Sequence, residues 1–143
     1  MTHVDDDFAL WIEEQVMLLR ERRFDQLDLP PLIEEMEGLV KNLRRELKSR
    51  LRNIMLHLLK WQYQPSRRTP SWTNTLRNER HDIALLLADN PSLRRRVEEF
   101  SADRYQSAVR HAVEQTGLPL KTFPVDLPYT TAQLLDEDYL PQA

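Results

Sequence analysis

The feature that most limits how this chain folds is an apolar stripe, Leu32, Met36, Leu39, Val40, Leu43, Leu47, Leu51, Ile54, Leu58 and Trp61, which keeps helical spacing throughout. It predicts a single helix over residues 29–63. At 1.5 Å per residue its roughly 35 residues extend on the order of 50 Å. Asp28, Pro30 and Pro31 provide the entry, because proline in a first turn gives up an amide that has no helical partner anyway. Gly38 lies off the stripe and costs about 1 kcal/mol relative to alanine without breaking the helix. Up to Leu51 only one face is apolar. Beyond it Met55, Leu56 and Leu59 cover other faces, so the second half is predicted to be surrounded by neighbours.

The rest of the chain is helical by the same reasoning. Only two glycines occur, Gly38 and Gly117, and no run of alternating β-branched residues appears, which predicts an all-α fold. A first helix over 6–22 carries Phe8, Trp11, Ile12, Gln15, Leu18 and Leu19 on one stripe, with Gln15 its polar member. Asp5, Asp6 and Asp7 suit its positive end. A third helix over 71–89 places Trp72, Leu76, Ile83, Leu86 and Leu87 inward, with Glu79 and Arg80 on or beside that face. Asn90-Pro91 opens a fourth over 91–116, closed by Gly117. In the tail, 117–143, Pro119, Pro124, Pro128 and Pro141 prevent a long helix. Phe123, Leu127 and Tyr129 are expected to anchor it on the helices, and Thr130 with Gln133 forms a capping box for one short helix. The expectation is a four-helix bundle-like single domain with one long second helix.

The lack of glycine also removes function classes, since neither a P-loop nor a dinucleotide fingerprint can be written. With no cysteine, disulfides, thiolate zinc sites and cysteine nucleophiles are excluded. No stretch approaches the 18 or so apolar residues of a membrane span. The acidic start, MTHVDDDFALW, lacks the pattern of a signal peptide. A soluble, cytoplasmic chain without a membrane partner is expected.

Charge is segregated behind a net of −3. Residues 1–40 hold 3 Lys or Arg against 11 Asp or Glu, a net of −8; residues 41–81 hold 11 against 2, a net of +9; residues 82–143 hold 6 against 10, a net of −4. The basic middle contains Arg44, Arg45, Lys48, Arg50, Arg52, Arg67, Arg68, Arg77 and Arg80. One reading is a surface for phosphate ligands or nucleic acid. The other, favoured because the whole chain is acidic, is neutralisation by the acidic first helix, each exposed pair contributing about 0–1 kcal/mol.

Few constellations carry chemistry. His3, His57, His81 and His111 form no H-E-x-x-H pair, and positions three before the last three are Ile54, Asn78 and Ala108, so the Glu-x-x-His of a di-iron bundle is missing. Glu34, Glu35 and Glu37 present a hard-metal alternative, although acidic residues near a helix start also simply favour its dipole. His57, Trp61 and Gln64 share a face at i, i+4 and i+7, with Lys60 alongside, where a buried lysine or a histidine would serve as a base. The structural alternative has His57 on a backbone carbonyl and Lys60 snorkelling. Arg67 and Arg68 precede a helix start at Ser71, a geometry suited to an anion, or else to capping the end of the long helix.

Asp7-Phe8 with Trp11 and Gln15; Leu32-x-Glu34-Glu35-Met36-Glu37; His57-Leu58-Leu59-Lys60-Trp61 with Gln64-Pro65, Arg67 and Ser71-Trp72; Pro91-Ser92-Leu93; Thr116-Gly117-Leu118; and Pro128-Tyr129-Thr130 form a set of motifs along the chain. Together they resemble a bacterial family known as domain of unknown function number twenty-nine. The resemblance implies an all-helical bundle and no established activity or cofactor. The combined expectation is a module that binds a protein partner or itself, with His57, Lys60, Gln64, Arg67, Arg68 and Arg80 as candidate binding residues. No catalytic set, metal site or cofactor is predicted. The alternatives are nucleic-acid or phosphate binding through residues 44–80, and an enzyme using Glu34 and Glu37 or His57 and Lys60.

Overall fold

In the computed structural model, which describes residues 1–142, the long stripe forms one helix, α2, over Leu29–Tyr63. It is preceded by α1, Phe8–Arg20, and followed by α3, Pro70–Asp89, α4, Val97–Thr116, and a five-residue α5, Thr131–Leu135. No strand occurs among the described residues, and the fold is all-α and bundle-like. None of the helices is long and apolar enough to cross a membrane, among the described residues. The chain contacts divide into two compact units, Met1–Asn42 and a second running from Leu43 onward.

In the first unit Asp7 caps α1, its carboxylate accepting from the Leu10 amide at 3.0 Å, so the helix starts two residues after the expected position. Trp11, Gln15 and Leu18 form the buried face of α1. The apparent misfit, Gln15, is explained by its oxygen, which accepts from the Asp28 amide at 2.9 Å, while the Trp11 indole donates to the Asp28 carboxylate at 3.0 Å. These bonds satisfy polar groups at the start of α2, where helical partners are lacking. The apolar stripe of α2 does not gain cover here. Leu29, Ile33, Met36 and Val40 remain 49%, 50%, 62% and 46% exposed.

In the second unit the same periodicity is buried, with Leu47, Leu51, Ile54, Met55, Leu58 and Leu59 fully enclosed. They join Leu76, Ile83 and Leu87 of α3 and Val97, Tyr105, Ala108 and Ala112 of α4 in one core. Each such leucine contributes about 1.5–3 kcal/mol of hydrophobic burial. The fourth helix differs from its expected start: Pro91–Arg96 is a 3₁₀ segment, and regular α-helix begins at Val97. Proline supplies no amide there, and the Asn90 side chain instead turns back to donate to the Leu86 carbonyl at 3.0 Å. Gly117 ends α4 with φ of 72°, a left-handed cap that a side chain would strain.

The tail is held as its composition suggests. Phe123 and Tyr129 are buried, and Leu127 packs partly on the core. Thr130 and Gln133 form the reciprocal capping box of α5, and Leu134 is fully enclosed. Tyr105 donates to the Pro124 carbonyl at 2.7 Å, and burial, with Tyr63 and Asp126 nearby, pushes its hydroxyl up to about 12.

Candidate functional site

The junction of α2 and α3 brings His57, Lys60, Gln64 and Arg68 into ordered contacts with other parts of the same chain. His57 lies one turn after Asn53, and its Nδ1 is 2.8 Å from the Asn53 carbonyl, which makes Nδ1 the donor and leaves the neutral ring's Nε2 as an acceptor. Burial pulls the His57 pKa below its ordinary value; the Asn53 carbonyl and Glu79 oppose this, and Lys60 reinforces it. Lys60 stands 4.6 Å over the Trp72 ring and donates to Gln115 Oε1 at 2.9 Å, with burial lowering its pKa. Gln64 donates to the Thr116 carbonyl at 3.3 Å, tying the end of α2 to the end of α4.

Arg68 adopts the capping role. Its Nε donates to the Trp61 carbonyl at 2.8 Å, near the C-terminus of α2, and its guanidinium lies 4.6 Å above the Trp61 ring. A cation here satisfies an end carbonyl and meets the negative end of the helix dipole. Arg67 is exposed in the 3₁₀ turn Pro65–Arg67.

Arg80 is separate from this group. It is buried, and its three guanidinium nitrogens all donate to backbone carbonyls of the tail: Nε to Leu134 at 2.9 Å, Nη1 to Tyr139 at 3.0 Å and Nη2 to Gln133 at 3.0 Å. The arrangement is that of a clamp. Burial lowers the Arg80 pKa, and Asp136, Tyr139 and Asp138 offset this.

Arg50 is neutralised by Glu46 on its own helix and by Glu79 and Asp82 of α3, at 3.1, 3.3 and 3.1 Å. Glu34, Glu35 and Glu37 belong to no group of three or more metal-ligating side chains; none is found among the described residues. Two features escape a reading of the sequence alone. Arg45, Lys48, Ser49, Arg52 and Arg104 line a small cleft, of which only the four α2 members share a spacing visible in the sequence. A wider, mainly apolar groove of about 820 Å³ lies along α4 and the tail, but Arg110 and Lys121 are exposed and the Tyr105 hydroxyl is already engaged.

A half-buried imidazole whose neutral form is favoured makes stability depend on pH. With a folded pKa below the unfolded value of about 6.5, His57 contributes stability that is full above that value and is lost as pH falls through the folded one. His57→Gln is expected to flatten the fall in urea midpoint between about pH 7 and pH 5. An unchanged slope would show that other groups carry the acid sensitivity.

These features define an all-helical protein in which His57, Lys60, Gln64 and Arg68 bond to other parts of the same chain. A family described as "Domain of unknown function DUF29" matches residues 4–140, nearly the whole chain. The chain belongs to that family. No curated protein and no solved structure matches it.

Proposed function

We propose that this protein is a self-association module whose docking surface is the bare apolar stripe at the start of α2, flanked by the exposed apolar residues of α1. The observation that carries this is the distribution of exposed large apolar residues. Phe8, Val16, Leu19, Leu29, Ile33, Met36 and Val40 are all exposed, whereas Leu47, Leu51, Ile54 and Leu58, which continue the same α2 periodicity, are enclosed. Singly exposed apolar residues are ordinary; a continuous stripe calls for a partner.

The spacing supports a second copy as the occupant. Leu29, Ile33, Met36, Val40 and Leu43 follow an alternating four- and three-residue step, placing β-branched Ile33 and Val40 at one seam position and Leu29, Met36 and Leu43 at the other. That choice favours two-stranded helix pairing. Because residues 1–40 carry a net of −8, pairing of two such surfaces works against repulsion between exposed carboxylates. Salt screens this repulsion, so self-association is expected to strengthen as ionic strength rises.

Sedimentation velocity across a concentration series is expected to show a two-chain species favoured by added salt. Ile33→Glu with Met36→Glu should leave the helical circular dichroism intact and return the protein to one chain. A wild-type chain that stays monomeric at its highest soluble concentration in high salt would refute the proposal.

A further inference from the structure

The face of α2 that carries Arg45, Lys48, Ser49 and Arg52 opens, with Arg104 of α4, onto a cleft of about 180 Å³. The α2 residues fall at i, i+3, i+4 and i+7, so they converge on one side of the helix. Arg50 lies on another side, where Glu46, Glu79 and Asp82 gather around it. The cleft has a different balance. Lys48 and Arg104 both turn to Asp103 Oδ2, at 3.9 and 3.7 Å, near the outer limit of an ion pair. Arg52 Nε is buried with no hydrogen-bond acceptor, and its Nη2 meets Asn53 Oδ1 at 3.5 Å.

A buried guanidinium N–H without an acceptor is rare in native proteins, since its lost hydration is not replaced. Here it belongs to Arg52, one of the side chains that line a cationic cleft. We infer that the cleft binds a single phosphate group, as inorganic phosphate or the terminal group of a phosphate monoester. Arg52 and Arg104 supply planar donors suited to its oxygens, Lys48 a point charge and Ser49 a hydroxyl donor. The volume of about 180 Å³ lies below the roughly 300–1,000 Å³ of pockets that enclose drug-sized ligands, so the site takes the phosphate and leaves the rest of a larger molecule outside.

The full chain should be titrated calorimetrically with inorganic phosphate and, separately, with glycerol phosphate, against sodium chloride of equal ionic strength. Saturable binding of one phosphate per chain is expected, weakened about tenfold or more by Arg52→Gln or Arg104→Gln and unchanged by Arg67→Gln. Tighter binding of glycerol phosphate than of inorganic phosphate would identify a monoester as the ligand; the reverse order would identify the free ion. Amide-shift mapping on the unaltered chain keeps the test independent of variant folding, with Ser49, Arg52 and Arg104 expected to move. No response beyond chloride, shifts confined to other residues, or equal weakening by Arg67→Gln would overturn the inference. Displacement of phosphate by duplex DNA with a steep salt dependence would replace it with a polyanion surface.

Discussion

Arg80→Ala is expected to release the C-terminal tail and to cost on the order of 3–5 kcal/mol of folding stability. The physical reason lies in α5, a helix of five residues. The last carbonyls of any helix have no intrahelical donor, and in so short a helix this leaves Gln133 and Leu134 dependent on outside groups. Arg80 supplies them from α3 and adds a bond to Tyr139, so one side chain fixes both the end of α5 and the segment after it. Truncation to alanine strands a buried acceptor at Leu134 and opens the site around the guanidinium. The two part-buried carbonyls recover some hydration, which keeps the expected loss well below three full penalties. Arg80→Lys is expected to recover part of it, because a single ammonium cannot span three carbonyls held by a planar fork. Urea denaturation measures the loss, and limited proteolysis locates it: cleavage within residues 131–142 should accelerate in Arg80→Ala before the core is attacked. Equal proteolysis of both proteins would show that the tail is held by Phe123, Tyr129 and Leu134 without the clamp.

Arg80 also shows where sequence reading reached its limit. Periodicity placed it on the inner face of α3, and its basic type suggested an anion, but its acceptors are backbone groups 53 to 59 residues away, which have no sequence signature. Local signals fared better. The unbroken stripe marked α2, Thr130 with Gln133 marked the α5 cap, and Gly117 marked the end of α4, because each is decided within a few residues. The same local reasoning left capping by Arg67 and Arg68, and His57 on a carbonyl, as one of two readings each; Arg68 and His57 make those bonds. It did not reveal that Leu29, Ile33, Met36 and Val40 stay exposed while Leu47 and Leu51 are enclosed, since an amphipathic period reports which face is apolar and not what covers it. The cationic cleft was half visible, in the spacing of Arg45, Lys48, Ser49 and Arg52. Its other wall, Arg104, comes from a helix brought near by packing.

Trp11→Ala is the second substitution expected to have a large effect, about 3–5 kcal/mol, and it separates packing from association. Trp11 is fully enclosed, and its indole donates to Asp28, whose amide is in turn bonded to Gln15. Losing the ring leaves a large cavity and removes the donor from a part-buried carboxylate. Trp11→Phe retains most of the apolar volume and loses only the indole donor, so its expected cost is about 1–2 kcal/mol. The contrast between the two variants measures packing against hydrogen bonding at one position. Hydrogen exchange should show α1 losing protection in Trp11→Ala while α5, whose restraint comes from Arg80, retains it. A uniform loss across both helices would mean that the two compact units unfold as one. Trp11 is buried and takes no part in the proposed docking stripe, yet its removal is expected to abolish the two-chain species together with the order of α1. Ile33→Glu with Met36→Glu should abolish that species with α1 protection intact. Only an association surface supported by the packing of α1 produces both results, because a stripe formed by α2 alone would survive the loss of Trp11.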